Sequence, residues 1–94
     1  MPSLKRDDVE ASLRQKGFEE APGDHRFFKL MVDGKYTGLF TKTSRGKKYK
    51  TLGDELVGRM ARQVKLTKAE FCKLVDCSLS GDEYRALLEG RDEL

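Results

Sequence analysis

Apolar positions recur at helical spacing near the start of the chain, alternate through its middle, and return to helical spacing towards its end. Val9 and Leu13 stand four apart behind Asp7 and Asp8, and Gly17 follows as the left-handed residue that closes a helix. Asp7 with Glu10 three residues on has the form of a capping box, so the spacing predicts a helix over about 7–16. Phe18 to Ala21 reads as a short strand, and Pro22-Gly23-Asp24 as a turn. His25 then opens a longer strand, Arg26-Phe27-Phe28-Lys29-Leu30-Met31-Val32, and Asp33-Gly34 is a hairpin signal that sends Lys35 to Thr43 back antiparallel. Alternation puts His25, Phe27, Lys29 and Met31 on one side and Arg26, Phe28, Leu30 and Val32 on the other. The second side is the expected core face, because Phe28, Leu30 and Val32 are consecutive apolar members of it. Helices packed there would leave the first side free to bind.

Beyond the strands, Ser44 to Lys50 forms a basic loop interrupted by Tyr49. Thr51 looks like the N-cap of a second helix, with Asp54 at the capping-box position and Leu52, Leu56 and Met60 in one row beside Val57. Gly53 and Gly58 lower its intrinsic propensity, so packing must hold it. Arg59, Arg62 and Lys65 lie off the apolar row and extend the basic surface along the helix. A short repeat follows, Leu66 to Val75 and Leu79 to Leu88, each copy with a leucine before a capping box, Thr67 with Glu70 and Ser80 with Glu83. Two amphipathic helices are expected, burying Phe71, Leu74, Val75, Tyr84, Leu87 and Leu88.

Ninety-four residues suit a single domain, 1–94, with a core large enough to need neither disulfide nor metal. Charged and apolar residues each make up 37%, which fits a highly charged folded domain rather than a disordered chain. No apolar run reaches the roughly 18 residues of a membrane span, and the N-terminal stretch lacks a signal-like hydrophobic segment, so a cytoplasmic protein with no membrane partner is expected. Cys72 and Cys77 are too few for a disulfide scaffold and, with the one histidine far off in sequence, make no zinc pattern. They read as free thiols packed as small hydrophobes, and neither a metal nor another cofactor is expected.

Charge changes the picture more. Residues 1–41 are neutral, residues 42–68 carry +7 and residues 69–94 carry −4. A block this basic inside a folded domain is the footprint of a polyanion partner, although a solvated loop is the plainer reading of any charge run. Lys42, Arg45, Lys47, Lys48 and Lys50 are the candidate nucleic-acid contacts within it, and Lys29 adds a cation from the strand.

His25 is the only histidine. Its unperturbed pKa of about 6.5 lets imidazole both take and give a proton near neutrality, and at a strand entrance beside cations it is placed for acid-base work on a phosphodiester. A structural or surface histidine is the competing reading.

Five pieces, in order, resemble the HicA family, the small mRNA-interferase toxins of HicA-HicB toxin-antitoxin systems. They are Leu13-Arg14-Gln15-Lys16-Gly17-Phe18, Gly23-Asp24-His25-Arg26-Phe27-Phe28, Thr41-Lys42-Thr43-Ser44-Arg45-Gly46, Met60-Ala61-Arg62-Gln63 and Leu66-Thr67-Lys68-Ala69-Glu70-Phe71. The likeness covers about residues 4–75, and 76–94 looks like an added helical extension. It implies an α+β fold, α-β-β-β-α, like that of double-stranded-RNA-binding domains (dsRBD-like), with a three-stranded antiparallel sheet, helices on one face and extra C-terminal helices. It also implies cleavage of mRNA through the family histidine, carried over to His25 alone, and a HicB-like antitoxin as protein partner. Two positions depart from the pattern. Asp24 stands where many members have Ser or Thr, and Arg45 stands where related sequences often show a second histidine.

The chemistry implied is metal-independent: His25 takes the proton of a ribose 2′-OH, which attacks the neighbouring phosphorus, while Lys29, Lys42 or Arg45 stabilises charge on the phosphate oxygens. Two alternatives stay open. The same face can bind RNA without cutting it, or the basic surface can serve mainly to dock an acidic protein partner.

Overall fold

The chain starts with a two-residue strand, β1 (Leu4–Lys5), that runs directly into helix α1 (Arg6–Gln15). Strands β2 (Phe18–Ala21), β3 (Arg26–Val32) and β4 (Lys35–Thr43) follow, then a two-residue β5 (Thr51–Leu52) and helices α2 (Asp54–Gln63), α3 (Lys68–Val75) and α4 (Gly81–Gly90). A computed structural model describes residues 4–21, 23, 25–44 and 50–93. The expected α+β class and three-stranded antiparallel sheet are both present, the sheet ordered β2-β3-β4.

The hairpin forms where its turn residues allow. Asp33 and Gly34 adopt φ of 52° and 79°, the pair of left-handed conformations that matches the twist of two antiparallel strands. Phe28 and Leu30 are buried on the inner face, as the alternation required, and α1 and α2 supply Val9, Leu13, Val57, Met60 and Ala61 against them. One cluster of buried side chains draws on every longer element except β4, whose half-buried Leu39 packs against it. Within it α4 contributes Leu88 and Tyr84, whose ring stacks on Phe18 at 5.9 Å and whose hydroxyl donates to the Val64 carbonyl at 2.8 Å.

Both capping boxes of the repeat are formed. Thr67 and Ser80 each accept from the backbone N–H three residues on, while Glu70 and Glu83 accept from the backbone of the cap. Of the repeat's expected core residues, Leu87 is only half-buried.

Two other expected caps are not there. Asp7 does not cap α1, which begins at Arg6 after Lys5, and Glu10 turns into the core instead of back to the N-terminus. Its carboxylate accepts from Arg26 at 2.7 Å and from the Thr43 hydroxyl at 2.6 Å, and this long-range partnership outcompetes the local box. Thr51 does not cap α2 either: it pairs with Lys5 in the β1-β5 ladder, leaving Gly53 as N-cap and Leu52 buried ahead of the helix. The cysteines are free, and Cys72 is half-buried, but Cys77 is exposed at φ of 70° just after α3 rather than packed as a small hydrophobe.

Candidate nucleic-acid interface

Register decides what the uncovered side of the sheet presents. Phe27 pairs with Lys42, Lys29 with Phe40 and Met31 with Tyr36 across β3 and β4, while Ala21 and Glu19 of β2 face Phe27 and Lys29. These residues share one face, opposite buried Phe28, Leu30 and Thr41. The step from Lys29–Phe40 to Met31–Tyr36 skips two positions of β4, a bulge at Thr37, Gly38 and Leu39. Gly38 takes φ of 92°, and Thr37 stitches the bulge by donating to the Leu30 carbonyl at 3.0 Å and accepting from the Leu39 N–H. Such a bulge re-aims neighbouring side chains. Here it leaves Phe40 directly across from Lys29 and brings Tyr36 close to the same lysine.

The resulting surface is aromatic and basic together. Tyr36 is 48% exposed and Phe40 40%, the large apolar side chains most open to solvent among the described residues. Phe40 leans on Phe27 with ring centroids 6.1 Å apart at 49°, and the Lys29 ammonium lies 5.5 Å from the centre of the Tyr36 ring. Ala21, being small, leaves a shallow hollow walled by Phe27, Lys29, Tyr36 and Phe40. Lys42 is exposed on the same face, beside Phe27.

His25 stands one residue before β3, at the Phe27 end of this face, and is half-buried. A methyl placed on Gly23 would lie 3.4 Å from the Phe27 ring and from the His25 carbonyl, so the turn is folded closely over that ring. The imidazole Nδ1 is buried without a hydrogen-bond partner among the described residues. Among the described residues no carboxylate therefore pairs with Nδ1, whereas the next residue, Arg26, is firmly tied to Glu10.

Ser44 and Lys50, which bracket the basic loop in sequence, lie at the same end of the sheet. Arg6 holds both: the guanidinium donates to the Ser44 carbonyl at 2.7 Å and the backbone N–H to the Lys50 carbonyl at 2.8 Å. Lys50 is exposed and lines one hollow with Lys5, Arg6, Asp7 and Thr51. Lys42 and Ser44 line another with Arg59 of α2, so of the three helix cations Arg59 does extend the basic surface. Lys65 instead leans towards Glu93, at 4.0 Å. Arg45, Lys47, Lys48 and Asp24 lie outside the described residues.

Of the residues brought together here, sequence reasoning named Lys29, Lys42, Lys50 and His25 as candidates but not Tyr36, Phe40, Lys5 and Arg6. The alternation of Tyr36, Phe40 and Lys42 along β4 was a visible signal for the first pair. Lys5 and Arg6 had none, because only the β1-β5 ladder brings them to the loop.

Set against family models, curated proteins and solved structures, the chain matches none. Function is therefore argued from this geometry. Among the described residues no group of three His, Cys, Asp or Glu side chains is disposed to hold a metal ion, and no helix is long and apolar enough to cross a membrane.

Proposed function

We propose that this protein binds RNA on the uncovered sheet face and cleaves it with His25, as its resemblance to HicA-like interferases implies. One observation carries the reading: His25 stands at the end of a face on which Lys29 and Lys42 alternate with Phe27, Tyr36 and Phe40. A flexible polyanion with planar bases is the partner this chemistry suits. The order helix, three antiparallel strands, helix supports the dsRBD-like arrangement. Location in the cytoplasm, where mRNA is met, goes with the same proposal.

In the reaction, the imidazole takes the proton of a 2′-OH, the freed oxygen bonds to the adjacent phosphorus, and the P–O5′ bond breaks. A 2′,3′-cyclic phosphate forms on one fragment, and the other leaves with a 5′-OH that takes its proton from solvent. Lys42 stabilises the non-bridging oxygens as charge builds on them. An acidic HicB-like antitoxin would inhibit by covering this face.

The test is cleavage of labelled single-stranded RNA in the presence of a chelator. General-base participation predicts that His25→Ala slows cleavage by about 10² to 10⁴-fold, with folding and RNA affinity retained. Equal cleavage by variant and wild type would remove His25 from the mechanism. The Nδ1, buried without a partner among the described residues, favours a second reading, an RNA-binding module that does not cut, for which the wild type retards RNA and yields no product.

A further inference from the structure

We infer that the uncovered face selects single-stranded RNA by stacking unpaired bases on Phe40 and Tyr36, while Lys29 and Lys42 take the phosphates between them. This rests on the RNA-binding reading above but is independent of cleavage by His25. The first argument is burial. A sheet with one solvated face normally turns polar side chains outward, yet here two large aromatic rings are held in solvent, 48% and 40% exposed, next to a third, Phe27. The rings are also braced. Phe40 rests on Phe27 at 6.1 Å, and the Gly38 bulge fixes where β4 aims Tyr36 and Phe40, so little conformational entropy is lost when a base lands.

The second argument is charge. Lys29 lies directly across from Phe40 and 5.5 Å from the Tyr36 ring centre, and Lys42 lies across from Phe27. Ring and cation therefore alternate along the face, the pattern that tracks a strand by stacking its bases and pairing its phosphates. A duplex offers no such match. Its bases are stacked on one another, and its shallow groove is read through hydroxyls and phosphates rather than through aromatic faces. Glu19, opposite Lys29, is a carboxylate on the face. It sets a limit on affinity that a neutral side chain would lift.

Binding of an uncleavable 2′-O-methyl oligonucleotide of about 10 nucleotides is compared with that of an RNA duplex of about 16 base pairs. The wild type is expected to prefer the single strand. Phe40→Ala and Tyr36→Ala should each weaken it by about 5- to 100-fold, with unchanged thermal melting, and Glu19→Gln should tighten it. The chain has no tryptophan, so Phe40→Trp both restores stacking and reports it: its emission should be quenched by the single strand and not by the duplex. If duplex binds as tightly and both alanine variants bind normally, stacking is wrong while the RNA reading stands. If the wild type binds neither RNA, both fall, and the face belongs to a protein partner.

Discussion

The carboxylate of Glu10, buried in α1, receives the Arg26 guanidinium at 2.7 Å, locking the first residue of β3 to the helix behind it. With Thr43 also donating to it, Glu10 joins both central strands to α1 at the end of the sheet where His25 stands. A buried carboxylate without these partners would be strongly unfavourable, so the three residues act as a unit. Glu10→Ala leaves Arg26 and Thr43 without their acceptor and is expected to cost about 2 to 3 kcal/mol, read as a lower urea midpoint. Glu10→Gln, which keeps one acceptor oxygen, should cost less. If Glu10→Ala melts like the wild type, the buried pair has no structural role.

Two glycine exchanges should both stabilise, for opposite reasons. Gly58 sits inside α2, where a methyl would stand 2.9 Å from the Lys68 Cε, the movable end of a side chain whose ammonium reaches Asp54 at 2.7 Å. Gly58→Ala gains close to 1 kcal/mol of helix propensity and displaces an exposed ion pair worth less than about 1 kcal/mol. A small rise in stability follows. Cys77, at φ of 70°, ends α3 in the left-handed conformation that costs a non-glycine residue about 1 kcal/mol. Cys77→Gly should raise the urea midpoint, and a fall in either variant would mean that the local packing is tighter than the geometry implies.

What the chain revealed before folding divides by range. The hairpin was legible because Asp33-Gly34 and the alternation of Phe28 and Leu30 act within a few residues, and the Thr67 and Ser80 boxes were legible for the same reason. Asp7 and Thr51 were misread as caps because their apparent roles were overruled from afar, by Arg26 and Thr43 drawing Glu10 inward and by Lys5 pairing with Thr51. The candidate site divides similarly. Lys29 and His25 were visible from strand alternation, but the clamp of Arg6 on Ser44 and Lys50 exists only once the N-terminal segment meets the middle of the chain.

Acid should loosen the join between α3 and the end of α4. Hydrogen bonds from Arg91, and then from the Thr67 backbone, hold the Glu70 carboxyl at about 2, below its ordinary 4.5. A depressed carboxyl contributes stability that is complete above about 4.5 and is lost as pH falls towards 2. The contribution is small, because the Glu70 and Arg91 side chains are 25% and 38% exposed and solvent screens them. Arg91→Gln should flatten the stability profile between these pH values relative to wild type. Parallel profiles for the two proteins would show that other carboxylates control acid unfolding.

Salt dependence should reveal how far RNA travels beyond the aromatic face. Lys5 and Lys50 meet only through the β1-β5 ladder, and Arg6 beside them anchors Ser44, which lines the next hollow with Lys42 and Arg59. A strand laid along the sheet from Tyr36 past Lys42 is thus led towards a second group of cations. Each phosphate neutralised on a single strand adds about 0.7 to the slope of log affinity against log salt. Lys5→Gln with Lys50→Gln should lower that slope by about 1.4 while leaving the quenching of the Phe40→Trp reporter at saturation unchanged. An undiminished slope would confine the contact to Lys29 and Lys42, whereas loss of quenching would mean that the ladder cations determine where the bases stack.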